Sequence, residues 1–319
     1  MKIVDQSIRI AIVFGTAALL LASSAAAAET AKKGPWQVFV LAGQSNMEGQ
    51  GKIKADPKRN GGKGSLEYLV KDPASAARFK HLLDPDGKWV VCDDVWIWYL
   101  GRKGKLTVGY GGGEDRIGPE LGFGLVMGQC CAEPVLLIKV AWGGKSLAKD
   151  FRPPSSGGEV GPNYRELVKL VKDVLANLKT YFPAYDGQGY ELAGLGWHQG
   201  WNDRVNQAFN DEYEKNLANF IRDIRKDLGV ARLPFVIAET GMCGPSESHP
   251  RALSLMRAQA AVAKYEEFRG NVAFVGTRAF YRPPEESPSA QGYHWNSNAE
   301  TYYLIGTAMG EAMKQLRGK

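Results

Sequence analysis

The chain carries no long run of one charge. It has 40 Lys and Arg against 34 Asp and Glu, a net +6, yet no more than two basic residues ever stand together. Nucleic-acid binding leaves a clustered basic stripe as its footprint, and this sequence offers none. Cysteine is scarce: Cys92, Cys130, Cys131 and Cys243 form no CxxC, so a zinc ribbon or thiol redox motif has no support. Histidine is equally scarce, and positions 81, 198, 249 and 294 lack metal-ligand spacing. No metal and no other cofactor is expected. Long apolar runs are missing too. The longest, Ile10–Ala22, has 13 residues, short of the ~20 that span a bilayer. Turn formers, by contrast, are plentiful, with 38 Gly and 16 Pro. A hydrophobic content of 44% with 23% charged residues excludes a disordered, collagen-like or coiled-coil chain.

The apolar run sits where a signal peptide would. Lys2 and Arg9 precede it, and Ala26-Ala27-Ala28 supplies the small-residue cleavage pattern. Residues 1–28 are therefore expected to be removed on export, leaving 29–319 as one secreted or periplasmic domain with no further membrane anchor. Export permits disulfides. A bridge from the adjacent pair Cys130 and Cys131 to Cys92 or Cys243 is one reading; four small buried apolar groups is the other.

Along the mature chain, strands alternate with helices. Strands are expected at Trp36–Ala42, Pro134–Ala141, Glu191–Trp197, Pro234–Glu239 and Asn271–Gly276. Helices are expected at Pro119–Gln129, at Tyr164–Tyr181 with an Asn163 cap, at Ala208–Leu228 and at Arg251–Phe268. A last helix should start after Ser297, with Glu300 completing a capping box. This alternation predicts an α/β fold with a five-stranded, mainly parallel sheet covered on both faces. The stretch 48–133, Gly-rich and aromatic, reads as an elaborate insertion after the first strand.

In open α/β sheets, function gathers at the C-terminal ends of the strands. Polar turns follow three of them: Gly43-Gln44-Ser45-Asn46-Met47, Gly143-Gly144-Lys145-Ser146 and His198-Gln199-Gly200-Trp201-Asn202-Asp203. A fourth, Tyr293-His294-Trp295-Asn296-Ser297, leads into the last helix. A serine on an early turn and a histidine on a late one suit Ser–His nucleophilic catalysis, in which an imidazole removes the hydroxyl proton. Either residue alone has a plainer role, Ser45 as a helix cap and His294 as a loop hydrogen-bonder. The Gly143 turn is not a phosphate loop, because Lys139 stands where that motif needs glycine. Nor is GQSNM the GxSxG nucleophile elbow.

Taken together, GQSNM, the GGxS turn, WHQG and HWNSNAETYYLIG resemble the sialate O-acetylesterase-like family of SGNH-type hydrolases, which includes acetylxylan esterases. The resemblance spans about residues 36–315. It implies a three-layer αβα sandwich and cofactor-free hydrolysis of O-acetyl esters on an acetylated carbohydrate. Ser45 matches the nucleophile and His294 the base. The Ser45 and Gly144 backbone amides and the Gln199 side chain match the oxyanion hole. Related enzymes place an Asp three residues before the histidine, or a Glu in a QGE turn; here Gln291 and Trp201 occupy those positions. Asp203 is the first candidate for the missing acid and Glu239 the second. A Ser–His dyad without an acid, or a glycan-binding descendant that has lost turnover, also fits. Trp142 and Trp197 are expected in the core, and Trp201 and Trp295 against substrate.

Overall fold

Seven strands, rather than the expected five, build the central sheet of the computed structural model, which describes residues 32–318. The expected signal peptide lies outside the described residues. The strands are β1 (Trp36–Gly43), β2 (Val95–Tyr99), β3 (Arg102–Lys105), β4 (Val135–Ala141), β5 (Tyr190–His198), β6 (Phe235–Ala238) and β7 (Val272–Val275). Their order is β3-β2-β4-β1-β5-β6-β7, and every neighbouring pair is parallel except the β2–β3 hairpin. The two uncounted strands come from the presumed insertion, which is therefore partly sheet. Helix α1 (Ser45–Glu48) follows β1 at once, and α2 (Pro119–Cys130) precedes β4. The other long helices are α3 (Pro162–Ala176), α4 (Gln207–Asp227), α5 (Pro250–Val262) and α6 (Ala299–Leu316), with four further one-turn helices between elements.

Alternation along β1 divides the core into two layers. Val38, Val40 and Ala42 face Tyr164, Leu167 and Val171 of α3 and Leu217, Phe220 and Ile224 of α4. Phe39 and Leu41 face Phe123 and Met127 of α2 and Ile305, Met309 and Met313 of α6. Fully burying one such side chain is worth about 1.5–3 kcal/mol. Glycines on both helices have a packing reason: a Cβ at Gly122 of α2 would stand 2.3 Å from the Tyr303 carbonyl oxygen, and one at Gly306 of α6 2.0 Å from that of Pro119. Only glycine lets α2 and α6 approach so closely.

Some local expectations are corrected. Gly161 caps α3, with Pro162 in its first turn, because Asn163 already lies within the helix. Asn298 caps α6, its side chain accepting from Thr301 N–H at 3.3 Å. Glu300 makes no capping box; it pairs with Arg78 at 2.6 Å and Arg282 at 2.9 Å. No disulfide joins the four cysteines, and Cys130 Sγ lies 3.9 Å from Cys131 Sγ. Among the described residues no helix is long and apolar enough to cross a membrane, and no cluster of His, Cys, Asp and Glu could hold a metal ion.

Candidate active site

The β1 turn is stapled by its own motif. A Cβ at Gly43 would meet the His198 carbonyl oxygen at 2.2 Å, so glycine is required where β1 runs beside β5. Gln44 Oε1 accepts the Gly200 N–H at 3.1 Å, and Gln44 Nε2 donates to Asn202 Oδ1 at 3.3 Å. Asn46 Nδ2 donates to the Tyr293 carbonyl at 3.0 Å. Tyr302 Oη lies 2.7 Å from Asn46 Oδ1 and 3.2 Å from the His294 carbonyl. Met47 is wholly buried. Within the motif, then, Gln44 ties α1 to the β5 turn and Asn46 ties it to the His294 loop. Ser45 is left at the helix start with its side chain unpaired and its N–H free of any backbone partner.

The far end of α1 rests on a lysine that stands out in the apolar strand β4. Lys139 is fully buried, and its Nζ donates to the Glu48 carbonyl at 2.6 Å, the Tyr110 carbonyl at 2.6 Å and Glu120 Oε2 at 2.7 Å. A buried ammonium is tolerable only when all its protons find acceptors. Here those acceptors fix α1 against the sheet. The Glu48 carboxyl receives the Gly143 amide and the Tyr99 hydroxyl. Burial raises its pKa, while those donors, Lys139 and Arg116 oppose the rise. The Gly144 amide has no backbone partner, and a Cβ there would meet only open space.

His294 lies in a short 3₁₀ segment, Gly292–Ser297, with unusual backbone. Trp295, Asn296 and Ser297 have φ of 50°, 54° and 58°, a left-handed run without glycine. Each such residue costs on the order of 1–3 kcal/mol, so the surroundings must hold the loop. Asn296 Nδ2 donates to the Arg282 carbonyl at 2.9 Å, Ser289 N–H to the Asn296 carbonyl at 2.9 Å, and the Trp295 ring is 0% exposed. Trp295 is thus the loop's anchor, which corrects the expectation that it contacts substrate. Trp201 is only partly buried; its ring packs on Tyr293 at 5.6 Å between centroids, and Tyr293 lies 4.4 Å from the His294 ring. Trp197 is core, and Trp142 packs partly buried against Phe151.

The imidazole of His294 has no hydrogen-bonded carboxylate among the described residues. Its charged neighbour is a cation: burial first, and then Arg116, push its pKa down to about 4. Neither candidate acid serves it. Asp203 is wholly buried, and its two oxygens accept Leu147 N–H at 2.8 Å, Ala148 N–H at 2.9 Å and Gln199 Nε2 at 2.5 Å. Burial pushes its pKa up to about 6 despite those donors. It organises the Gly143–Ala148 loop instead. Glu239 accepts Thr277 N–H at 2.9 Å and pairs with Arg278 at 3.3 Å, joining the ends of β6 and β7. Gln199 is also reassigned. Its amide hydrogens go to Asp203 and, at 3.0 Å, to the Lys145 carbonyl, leaving none for an oxyanion. Gln44, Asn46, Lys139, Glu48 and Arg116 were missed from sequence. Gln44 and Asn46 were signalled only as members of GQSNM, and Lys139 as a charge within a buried strand; Glu48 and Arg116 gave no signal.

Fold and site together define a three-layer α/β protein whose polar turns meet beyond the C-terminal edge of a mostly parallel sheet. Residues 35–315 match the profile of one family, and the chain belongs to it: carbohydrate esterase, sialic acid-specific acetylesterase. Among solved structures, the chain is similar to a protein from Arabidopsis thaliana at 17% identity and a TM-score of 0.56, covering 88% of this chain and 98% of that one. It is also similar to a carbohydrate acetylesterase from Xanthomonas citri at 13% identity and a TM-score of 0.52, covering 89% of this chain and 57% of that one. No curated protein matches the chain.

Proposed function

We propose that the protein is an exported carbohydrate O-acetylesterase working through Ser45 and His294. The observation that carries this reading is the tether through Asn46, which binds the His294 loop to the helix turn whose first residue is Ser45. Ser45 Oγ attacks the acetyl carbonyl carbon while a neutral His294 takes the hydroxyl proton. The oxyanion is received by the Ser45 and Gly144 amides, a role supported by their having no backbone partner. The C–O bond to the sugar then breaks, and His294 returns the proton to the leaving oxygen. Water, with His294 again as base, cleaves the acetyl-enzyme to acetate. Trp201, partly exposed beside Tyr293, offers an aromatic face to a sugar ring. Export rests on the signal-like residues 1–28.

Acetate release from a panel of acetylated polysaccharides, run with wild type and Ser45→Ala, tests the assignment. Release by the wild type alone is expected, with a fluorophosphonate probe labelling Ser45. One observation favours a second reading, a glycan-binding module with little turnover: the imidazole lacks a carboxylate partner. Saturable sugar binding with no serine-dependent acetate release would decide for it.

A further inference from the structure

At the opposite edge of the sheet, where β6 and β7 begin, lies a cleft of about 350 Å³. Four cations line it, Arg222, Arg225, Lys226 and Arg232, against the single carboxylate of Glu267. That carboxylate is already taken, because Arg222 clasps both of its oxygens. Arg225 is 94% buried, its exposure being 6%, yet it has no acidic hydrogen-bond partner. Its Nε and Nη2 donate to the Leu233 carbonyl at 3.1 and 2.8 Å, and Nη2 also reaches Asn271 Oδ1 at 2.5 Å. Its Nη1 makes no hydrogen bond. Lys226 and Arg232 form no ion pair among the described residues. Burial, with Arg232 adding like-charge repulsion and Glu267 opposing, pushes the Arg225 pKa down to about 10.

A desolvated guanidinium whose hydrogen bonds all go to neutral acceptors, sharing one carboxylate with three other cations, is electrostatically under-compensated. A planar or tetrahedral oxyanion would satisfy it, taking the free Arg225 Nη1 together with Lys226 and Arg232. We infer that this cleft is an oxyanion-binding site, independent of the Ser45 centre, that takes a phosphate or the carboxylate of an acidic sugar. The two ligands share one chemistry, an anionic group with several oxygen acceptors, and the probes below separate them. Phe268 floors the cleft beneath Arg222 and Arg225, with their guanidinium carbons 5.7 and 5.3 Å from the ring centroid.

The test titrates the purified protein with inorganic phosphate and, separately, with an oligogalacturonate, at constant ionic strength set by chloride. Binding is followed by thermal shift and by NMR. Saturable binding is expected, with Kd at or below about the millimolar range. The double variant Lys226→Glu, Arg232→Glu should weaken it by at least about tenfold. Both residues lie at the surface, so p-nitrophenyl acetate hydrolysis should stay unchanged, which shows the variant to be folded. Oligogalacturonate binding well above phosphate, and displaced by it, assigns an acidic glycan. Phosphate binding alone assigns a phosphate. Binding of neither probe, or equal binding by wild type and double variant, overturns the inference. Arg225 itself is unsuited to the test, because it staples α4 to the strand starts.

Discussion

In the turn after β5, the Asp203 carboxylate accepts three hydrogen bonds, and Gln199 is held by Asp203 and the Lys145 carbonyl. In the loop before α6, the imidazole of His294 makes no hydrogen bond among the described residues, although the backbone around it is strained and tightly tied. Both segments carry motifs of similar weight in the sequence. Their difference teaches that motif strength alone does not separate scaffold from chemistry. Accounting for each polar atom does. Groups whose side chains are bonded to neighbouring loops hold those loops in place, whereas the Ser45 and His294 side chains have no such partner among the described residues.

The largest expected effect contrasts the two regions directly. Ser45→Ala should remove activity by about 10³-fold or more while leaving the melting temperature nearly unchanged. Asp203→Ala should do the reverse in emphasis. It strands the buried Leu147 and Ala148 amides, each costing about 1–3 kcal/mol, so urea unfolding should show a loss of several kcal/mol. Its residual activity should keep the wild-type pH profile. A shifted profile with intact stability would return Asp203 to the role of acid.

A second stability effect comes from His198, wholly buried at the end of β5 with neither ring nitrogen bonded. Burial pushes its pKa down to about 4, below the ordinary ~6.5 of an unfolded chain. The unfolded state therefore binds the proton first. The stability is full above about pH 6.5 and is lost as pH falls toward 4, by up to about 3 kcal/mol. His198→Leu should flatten that slope when unfolding is compared at pH 7 and 4.5. An unchanged slope would place the proton-linked group elsewhere.

The smallest change sharpens the comparison by supplying what the His294 loop lacks. Gln291 is exposed, and its carbonyl accepts the His294 amide at 2.8 Å. Gln291→Asp puts a carboxylate one turn from the imidazole. It should raise kcat by about tenfold and move the acid limb up by about one pH unit. No change in either would mean that the imidazole is oriented well enough by its loop.

Much of this molecule was legible from sequence. The apolar runs at β1, β4 and β5 gave the central strands, and the polar turns after them gave the site's edge. What was missed has local causes. The strand β3, Arg102–Lys105, is charged and short, so it has no apolar pattern to read; it joins the sheet only through its hairpin with β2. Asp203 lies on the polar turn after β5, but position in the sequence does not say where a carboxylate points, and two backbone amides from the neighbouring loop capture it. Proximity to His294 in the sequence predicts a substrate contact for Trp295. The left-handed backbone at Trp295 instead accompanies an indole buried in the core.

The central claim is that the reactive imidazole works without a carboxylate, in a half-buried site beside Arg116. Its most direct test is the pH dependence of kcat/KM for p-nitrophenyl acetate, from pH 3.5 to 8, in pH-jump assays short enough to precede unfolding. Since the folded pKa of His294 is pushed down to about 4, the imidazole stays neutral, as the proposed base must be, until the medium is strongly acidic. The account predicts a flat profile from pH 8 to about 5 and half-maximal activity near 4, moving upward in Arg116→Gln. Half-maximal activity between about 6 and 7, unmoved by that substitution, would contradict it and point to an imidazole paired with an acid.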